Sequence, residues 1–233
     1  MFRKLLSKLL YPHSYSSEAY IKFLRKKGAV IGEGTRFIAP RKCNVDVGRA
    51  EYITIGKNCC LSLCTILAHD YSWYVFLNSH NKLLPDPGGK VVIGDNCFIG
   101  NEACILKDTV IGNNVIIGAR AVVKGIIPSN TVWAGVPAKQ ICTLEELIEK
   151  RSNTLEGARK RYHVIQDRYD RKPTIQEMGW FALLFLERNN TNYSKYIKDI
   201  EFNGLKDSDK IKDFFWNTQP LYKSYDDFIK DVN

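Results

Sequence analysis

A chain of 233 residues can bury a real core, either as one larger domain or as two small ones. With 45% hydrophobic and 25% charged residues it has the composition of a globular protein, not a disordered one. No apolar run approaches the ~20 residues a membrane span needs; the longest candidate runs from Trp180 to Leu186. The formal charge of +9 is an N-terminal feature: Arg3, Lys4, Lys8, Lys22, Arg25, Lys26 and Lys27 stand against Glu18 alone in the first thirty positions. No element interleaves basic and aromatic residues as a nucleic-acid groove requires, so nucleic acid is not an expected partner. A phosphate-bearing cofactor or an anionic membrane surface suits that charge. The seven Cys are odd in number and form no CxxC pair. They read as reduced thiols in a cytoplasmic protein, because zinc ligands come at tighter, paired spacings.

In chain order, residues 1–29 predict a helical cap. Phe2, Leu5, Leu6, Leu9 and Leu10 fall at helical spacing beside Arg3, Lys4 and Lys8. Such a stripe packs on the protein itself or touches a membrane surface, peripheral to an inner membrane. The apolar residues are broken by Ser7 and Lys8 and no small-residue cleavage site follows, so a secretory leader is not expected. Residues 17–28 predict a second helix, with Ser16 and Ser17 as N-cap candidates.

The middle of the chain, residues 30–142, is organised by a six-residue repeat. Every sixth residue from Ile31 reads Ile31, Phe37, Cys43, Arg49, Ile55, Leu61, Leu67, all apolar or Cys except Arg49. The register breaks at a loop, residues 70–90, and resumes as Ile93, Ile99, Ile105, Ile111, Ile117 and Val123. Gly follows at 32, 56, 94, 100, 112 and 118. A helix would space apolar residues by three and four, and a simple strand would alternate them. Strict sixes predict short flat strands in a coil, with the aliphatic residue pointing inward and Gly easing the corner. Three hexads close one triangular turn, and the turns stack at the ~4.8 Å of paired strands. About five turns are expected, with several Cys at inward places.

After residue 142 the chain predicts helices. Thr143-Leu-Glu-Glu is a capping box opening a helix to about Tyr169, which Pro173 ends. Further short helices are expected over 174–188 and 208–231. Trp180, Phe181, Phe185, Phe214, Phe215, Trp216 and Tyr222 supply an aromatic docking core, so 143–233 reads as a helical C-terminal extension.

The tract Val92-Ile93-Gly94-Asp95-Asn96 through Phe98-Ile99-Gly100, Ile117-Gly118-Ala119 and Ala134-Gly135-Val136-Pro137-Ala138-Lys139 resembles the hexapeptide-repeat acyltransferases. Within them, the His69-Asp70-Tyr71-Ser72-Trp73 motif resembles bacterial polysaccharide O-acetyltransferases. The resemblance implies a mainly β fold, a left-handed parallel β-helix. Left-handedness is its contribution alone, since crossovers between parallel strands are otherwise right-handed about 98% of the time. It implies acetyl-coenzyme A as co-substrate without a metal, a carbohydrate acceptor, and a homotrimer with the donor between subunits. It also implies that His69 is the general base.

Chemistry agrees on His69. It opens the loop that breaks out of the rigid repeat, where functional residues concentrate, and an imidazole can take the proton of an attacking sugar hydroxyl near neutral pH. A base of this kind is usually oriented by a partner. Glu51 stands eighteen residues earlier, one rung below in a regular coil, and Asp70 is the adjacent alternative. Either could equally be a solvated charge. His80 could be a second base, a substrate contact or simply exposed. Trp73, among the aromatics after His69, could stack on a sugar face or pack the loop.

By resemblance, Asn44 matches an acceptor-positioning Asn, Ala119 a backbone contact to the pantetheine arm, Asn101 and Lys124 two further donor contacts, and Lys139 a basic residue facing the phosphates. Gly125 and Cys142 stand where the family usually has Lys and Arg, so the phosphates must find other cations here. Other readings stay open: an amino-sugar N-acetyltransferase, and a non-catalytic repeat scaffold. A three-His zinc site, found on the same fold, is disfavoured by only four His in the chain.

Overall fold

The computed structural model describes residues 2–197 and 209–232, with the side chains of residues 2–5 left aside. Two compact units emerge, Met1–Ile148 and Glu149–Asn233; each has its own core.

The first unit is a parallel β-coil. Its strands form one sheet of seven and one of six, and three ladders of inward side chains run through them. The first is Ile31, Ile55, Ile93, Ile111 and Ile127. The second is Phe37, Leu61, Ile99, Ile117 and Trp133. The third is Val45, Ile66, Ile105 and Val123. The strand Cys104–Ile111 supplies both Ile105 and Ile111 and so turns a corner. These ladder residues are buried apart from Trp133, which is half-buried. Each aliphatic rung removes its side chain from water, a gain of roughly 1.5–3 kcal/mol apiece. Cys59, Cys97 and Cys64 are also buried, with free thiols.

The corners show a division of labour. At Gly32, Gly56 and Gly94 no left-handed backbone is needed; the requirement is close approach. A Cβ on Gly56 would lie 2.6 Å from the Gly94 carbonyl carbon, and one on Gly94 would lie 2.7 Å from that of Gly112. The left-handed corner falls two residues later, at Gly34, Asn58, Asn96, Asn114 and Asn130. Asn tolerates that conformation better than other side-chain-bearing residues. Here Asn96 donates to Asn114 at 3.1 Å and Asn114 to Asn130 at 2.8 Å.

The first turn corrects the expected regular coil. Ile31 pairs with Ile55, twenty-four positions on, because residues 47–52 form an extra 3-10 segment (Val47–Tyr52). The Asp46 carboxylate caps it, accepting from the Gly48 amide at 3.1 Å. Arg49 therefore leaves the inward register. Past Leu61 the count slips again, so that Ile66 points inward where Leu67 was expected, and Val45 pairs with Ile66.

Helix α1 (Phe2–Leu10) leaves Leu6, Leu9 and Leu10 exposed. The side chains of Phe2 and Leu5, expected on the same stripe, lie outside the described residues. Helix α2 (Ser17–Lys26) begins where expected, the Ser16 hydroxyl accepting from the Ala19 amide. It caps the first turn: Tyr20 and Leu24 are buried, Tyr20 donates to the Cys43 carbonyl, and Ser17 accepts from the Phe37 amide. The loop after Asp70 contains helix α3 (Trp73–His80). An antiparallel strand, Lys139–Thr143, closes the far end.

The Thr143 capping box is present, with bonds of 2.7 and 3.2 Å to Glu146. It opens a shorter helix than expected, α4 (Leu144–Arg151). Asn153 then caps a second, α5 (Thr154–Tyr169), because its side chain accepts from the Glu156 amide and restarts the spiral. The helix expected over 174–188 is instead a four-residue turn, Ile175–Met178, followed by 3-10 geometry from Gly179, whose φ of 57° ends the α-helix. Over 208–231 two helices form, Asp209–Asn217 and Tyr225–Val232, while position 208 lies outside the described residues. The second unit's core holds Tyr162, Phe185, Phe215 and Phe228. Trp180, Phe181 and Tyr222 pack against it, whereas Phe214 and Trp216 are exposed.

Among the described residues no helix is long and apolar enough to cross a membrane.

Candidate active site

His69 stands at the end of the Thr65–Ile66 strand, where the third ladder meets the loop. The strand hydrogen bonds run right up to it: Leu67 donates to the Ile105 carbonyl at 2.9 Å. The ring sits between the coil, through Asp46, and the start of the loop, through Tyr71. It is one-fifth exposed, and its Nδ1 meets Asp46 Oδ2. Tyr71 packs edge-on against it at 5.0 Å.

Asp46 was not among the residues expected from the sequence. It is almost fully buried and fully engaged: Oδ1 accepts from the Gly48 amide, and Oδ2 accepts from the Ala68 amide and faces the imidazole. A carboxylate held by backbone amides on both oxygens cannot swing away, so it pins the ring. Glu51, expected beneath His69, is instead exposed in the inserted 3-10 segment, beside Gly28. The expectation needed an eighteen-residue turn, and this turn is longer. Asp70 also does something other than orient the base: its carboxylate accepts from the Lys107 ammonium at 2.6 Å and from the Ser72 amide at 2.9 Å.

Lys107 clasps the loop. It bonds Asp70 and Asp86 at 2.6 Å each, while Asp86 accepts from the Asp70 amide and Gly89 donates to the Ala68 carbonyl at 2.8 Å. The Lys107 bond holds the Asp70 and Asp86 carboxyls below the usual carboxylate range, and the two carboxylates push the ammonium up.

Two hollows meet at His69. One, of about 580 Å³, is lined by Asn44, Asp46, Gly48, His69, Asp70 and Tyr71 among others. The other, of about 300 Å³, adds Arg49, Trp73, Pro85 and Asp86. The structure therefore brings Asn44, Asp70 and Trp73 together with His69. It does not bring His80, which ends α3 exposed, with its ring against the Ser79 hydroxyl.

The residues matched to donor contacts lie on later turns, all exposed: Asn101, Ala119, Lys124 and Lys139. Asn101 and Ala119 sit one above the other on one corner, where Arg120 donates to the Asn101 carbonyl at 2.8 Å. A Cβ at Gly100 would lie 2.6 Å from the Ala119 amide nitrogen. Bare Gly100 lets the next turn stack closely on it, and the Ala119 amide makes no hydrogen bond among the described residues. Among the described residues no three His, Cys, Asp or Glu gather as metal ligands.

A stacked parallel coil with a lone imidazole pinned at the break of the repeat defines a class. Residues 90–125 match the family described as bacterial transferase hexapeptide (six repeats). WbbJ of Escherichia coli K12, named as an O-acetyl transferase of lipopolysaccharide biosynthesis, is 38% identical over 114 residues, 42% of this chain and 53% of that one. YvoF of Bacillus subtilis 168, named as an acetyltransferase, is 30% identical over 141 residues, 59% of this chain and 72% of its own length. The galactoside O-acetyltransferase of Escherichia coli K12 is 27% identical over 150 residues, covering 56% and 72%. The chain belongs to the hexapeptide-repeat transferases. It spans about half the length of WbbJ.

Proposed function

We propose that this protein transfers an acetyl group from acetyl-coenzyme A to a hydroxyl of a sugar in a surface polysaccharide or its precursor. On this reading it works in the cytoplasm, on a left-handed coil, as a homotrimer. The observation that carries it is the His69–Asp46 pair. With Nδ1 facing a fixed carboxylate, the ring proton belongs on Nδ1, and Nε2 keeps its lone pair. That nitrogen can take the proton of an acceptor hydroxyl as the oxygen attacks the thioester carbonyl. Asp46 then stabilises the imidazolium that forms, and the proton passes to the departing thiolate. Asn44 and Trp73, in the hollows beside His69, are placed to hold the acceptor.

The donor side rests on the resemblance. The unpaired Ala119 amide suits a carbonyl of the pantetheine arm. Asn101 and Lys124 flank the arm, and Lys139 serves the phosphates. Oxygen as the acceptor atom is supported by WbbJ and the galactoside enzyme, both named for O-acetyl transfer; tetrahydropyridine-dicarboxylate N-acetyltransferases also match, over a shorter stretch of 76 residues.

The test is an acetyl-transfer screen over capsule and O-antigen sugars, with product analysis to separate ester from amide. His69→Ala should lower transfer to a hydroxyl by about 10²–10⁴, the usual worth of a positioned general base, while the protein stays folded. Near-normal turnover in that variant would leave proximity alone to carry the reaction and would refute the mechanism.

A further inference from the structure

Arg49 is the single cation at the six-residue spacing of the sequence, taken off the inward ladder by the inserted segment, and the mechanism above makes no use of it. It lies in the inserted 3-10 segment, where its φ of −138° and ψ of 39° break the helical path. It lines the smaller hollow with Gly48, His69, Asp70, Trp73 and Asp86. Its Nε is buried with no hydrogen-bond partner, and among the described residues it makes no ion pair. Yet three carboxylates surround the site, and each is engaged elsewhere. Asp46 holds the imidazole and two backbone amides. Asp70 and Asp86 share Lys107.

A guanidinium carries five N–H donors in a fixed fork, and buried donors in folded proteins are almost always paired. Arg36 Nε and Tyr162 Oη are unpartnered as well; what singles out Arg49 is that it lines the hollow beside His69, where a ligand could supply the partner the protein does not. We propose that Arg49 recognises the carboxylate of an acidic sugar, so that the acceptor is a uronic or sialic-type residue presented to His69. This deepens the acetyl-transfer reading and rests on it. A carboxylate matches the planar fork of Arg. Asp70 and Asp86 line the same hollow and oppose a second negative charge, which favours a monoanion over a phosphate dianion. Trp73 and Tyr71 flank the space a sugar ring would fill.

Binding to the full-length protein, read by ligand-observed NMR titration, tests this without turnover. The probes are the methyl glycosides of galacturonate, glucuronate and N-acetylneuraminate, each beside its carboxyl methyl ester, which keeps the shape and removes the charge. At least one acid should bind tenfold or more tightly than its ester. Arg49→Gln should erase the difference and Arg49→Lys restore part of it, while His69→Ala should keep it. Acids and esters binding alike, no acid binding at all, or an acid preference that survives in Arg49→Gln would each overturn the assignment. Tighter binding of galactose 6-phosphate than of galacturonate would overturn the carboxylate. An intact acid preference together with failed acetyl transfer would support Arg49 and refute the transfer reading instead.

Discussion

An imidazole accepts a proton only at the nitrogen that carries none, so the use of His69 depends on what sits at Nδ1. Asp46 can only accept there, which leaves Nε2 unprotonated. Asp46→Asn reverses this: an amide nitrogen can donate to Nδ1 and favour the proton on Nε2, the wrong tautomer for a base. Transfer should then fall by about 10²–10⁴, comparable to losing the ring, with donor binding retained. Glu51→Gln should change kcat/KM by less than about twofold, because that side chain is exposed on the inserted segment; a large loss in Glu51→Gln with none in Asp46→Asn would reverse the assignment. His69 itself was legible in the sequence, since a His at the break of a rigid repeat is conspicuous. Its partner was not. The inserted segment is six residues long, so counting by sixes from Ile31 to Ile55 closes evenly and hides a turn of twenty-four. The one local sign was Asp46-Val47-Gly48, an acidic residue poised to cap a turn.

The loop and the corners are where elements, not single groups, decide behaviour. Lys107 ties both ends of the 70–90 loop to the coil through Asp70 and Asp86. Both carboxyls are depressed by that contact. Their contribution is therefore present above the ordinary Asp value of about 3.9 and is lost as pH falls below it through the lower folded values. The protection of amides across residues 70–90, taken relative to intrinsic exchange at each pH, should hold from pH 5 to 8 and drop on acidification below about 4. Lys107→Met should remove that protection at pH 7, and transfer should fall because Tyr71 and Trp73 lose their positions. Slow exchange in that variant would show the clasp to be ornamental. At the corners, Gly94→Ala meets the Gly112 backbone at 2.7 Å. It should cost at least ~2 kcal/mol in urea unfolding, whereas Asn96→Gly, at a left-handed corner, should cost less. The strands and their Gly steps could be read from the periodicity because one inward residue per face is all the coil permits. The splitting of the C-terminal helices could not, since it turns on whether Asn153 and Gly179 act as caps or are carried through, a choice settled by packing around Tyr162 and Phe185.

One face of the coil carries an exposed row of side chains in register. On the first face the residues beside the inward ladder point outward. They are Val30, Thr54, Val92, Val110 and Ile126, in register on successive turns. Of these Val30 is 61% exposed, Val110 45% and Ile126 80%. Four of the five are apolar; such an aligned row is out of place against water, and a flat face of stacked strands suits a second copy of itself. The threefold assembly implied by the family resemblance would cover it and would set the donor between neighbours. Val110→Lys with Ile126→Lys should then give a folded monomer in sedimentation at micromolar concentration, since both side chains point away from the core. Coenzyme A at a hundredfold excess over Kd should stabilise the wild-type protein by about 2.7 kcal/mol. The double variant should lose most of that protection, because each donor site would lack one wall. A double variant that sediments with the wild type would remove this face from the interface. A monomer still protected by coenzyme A would place the donor within a single subunit.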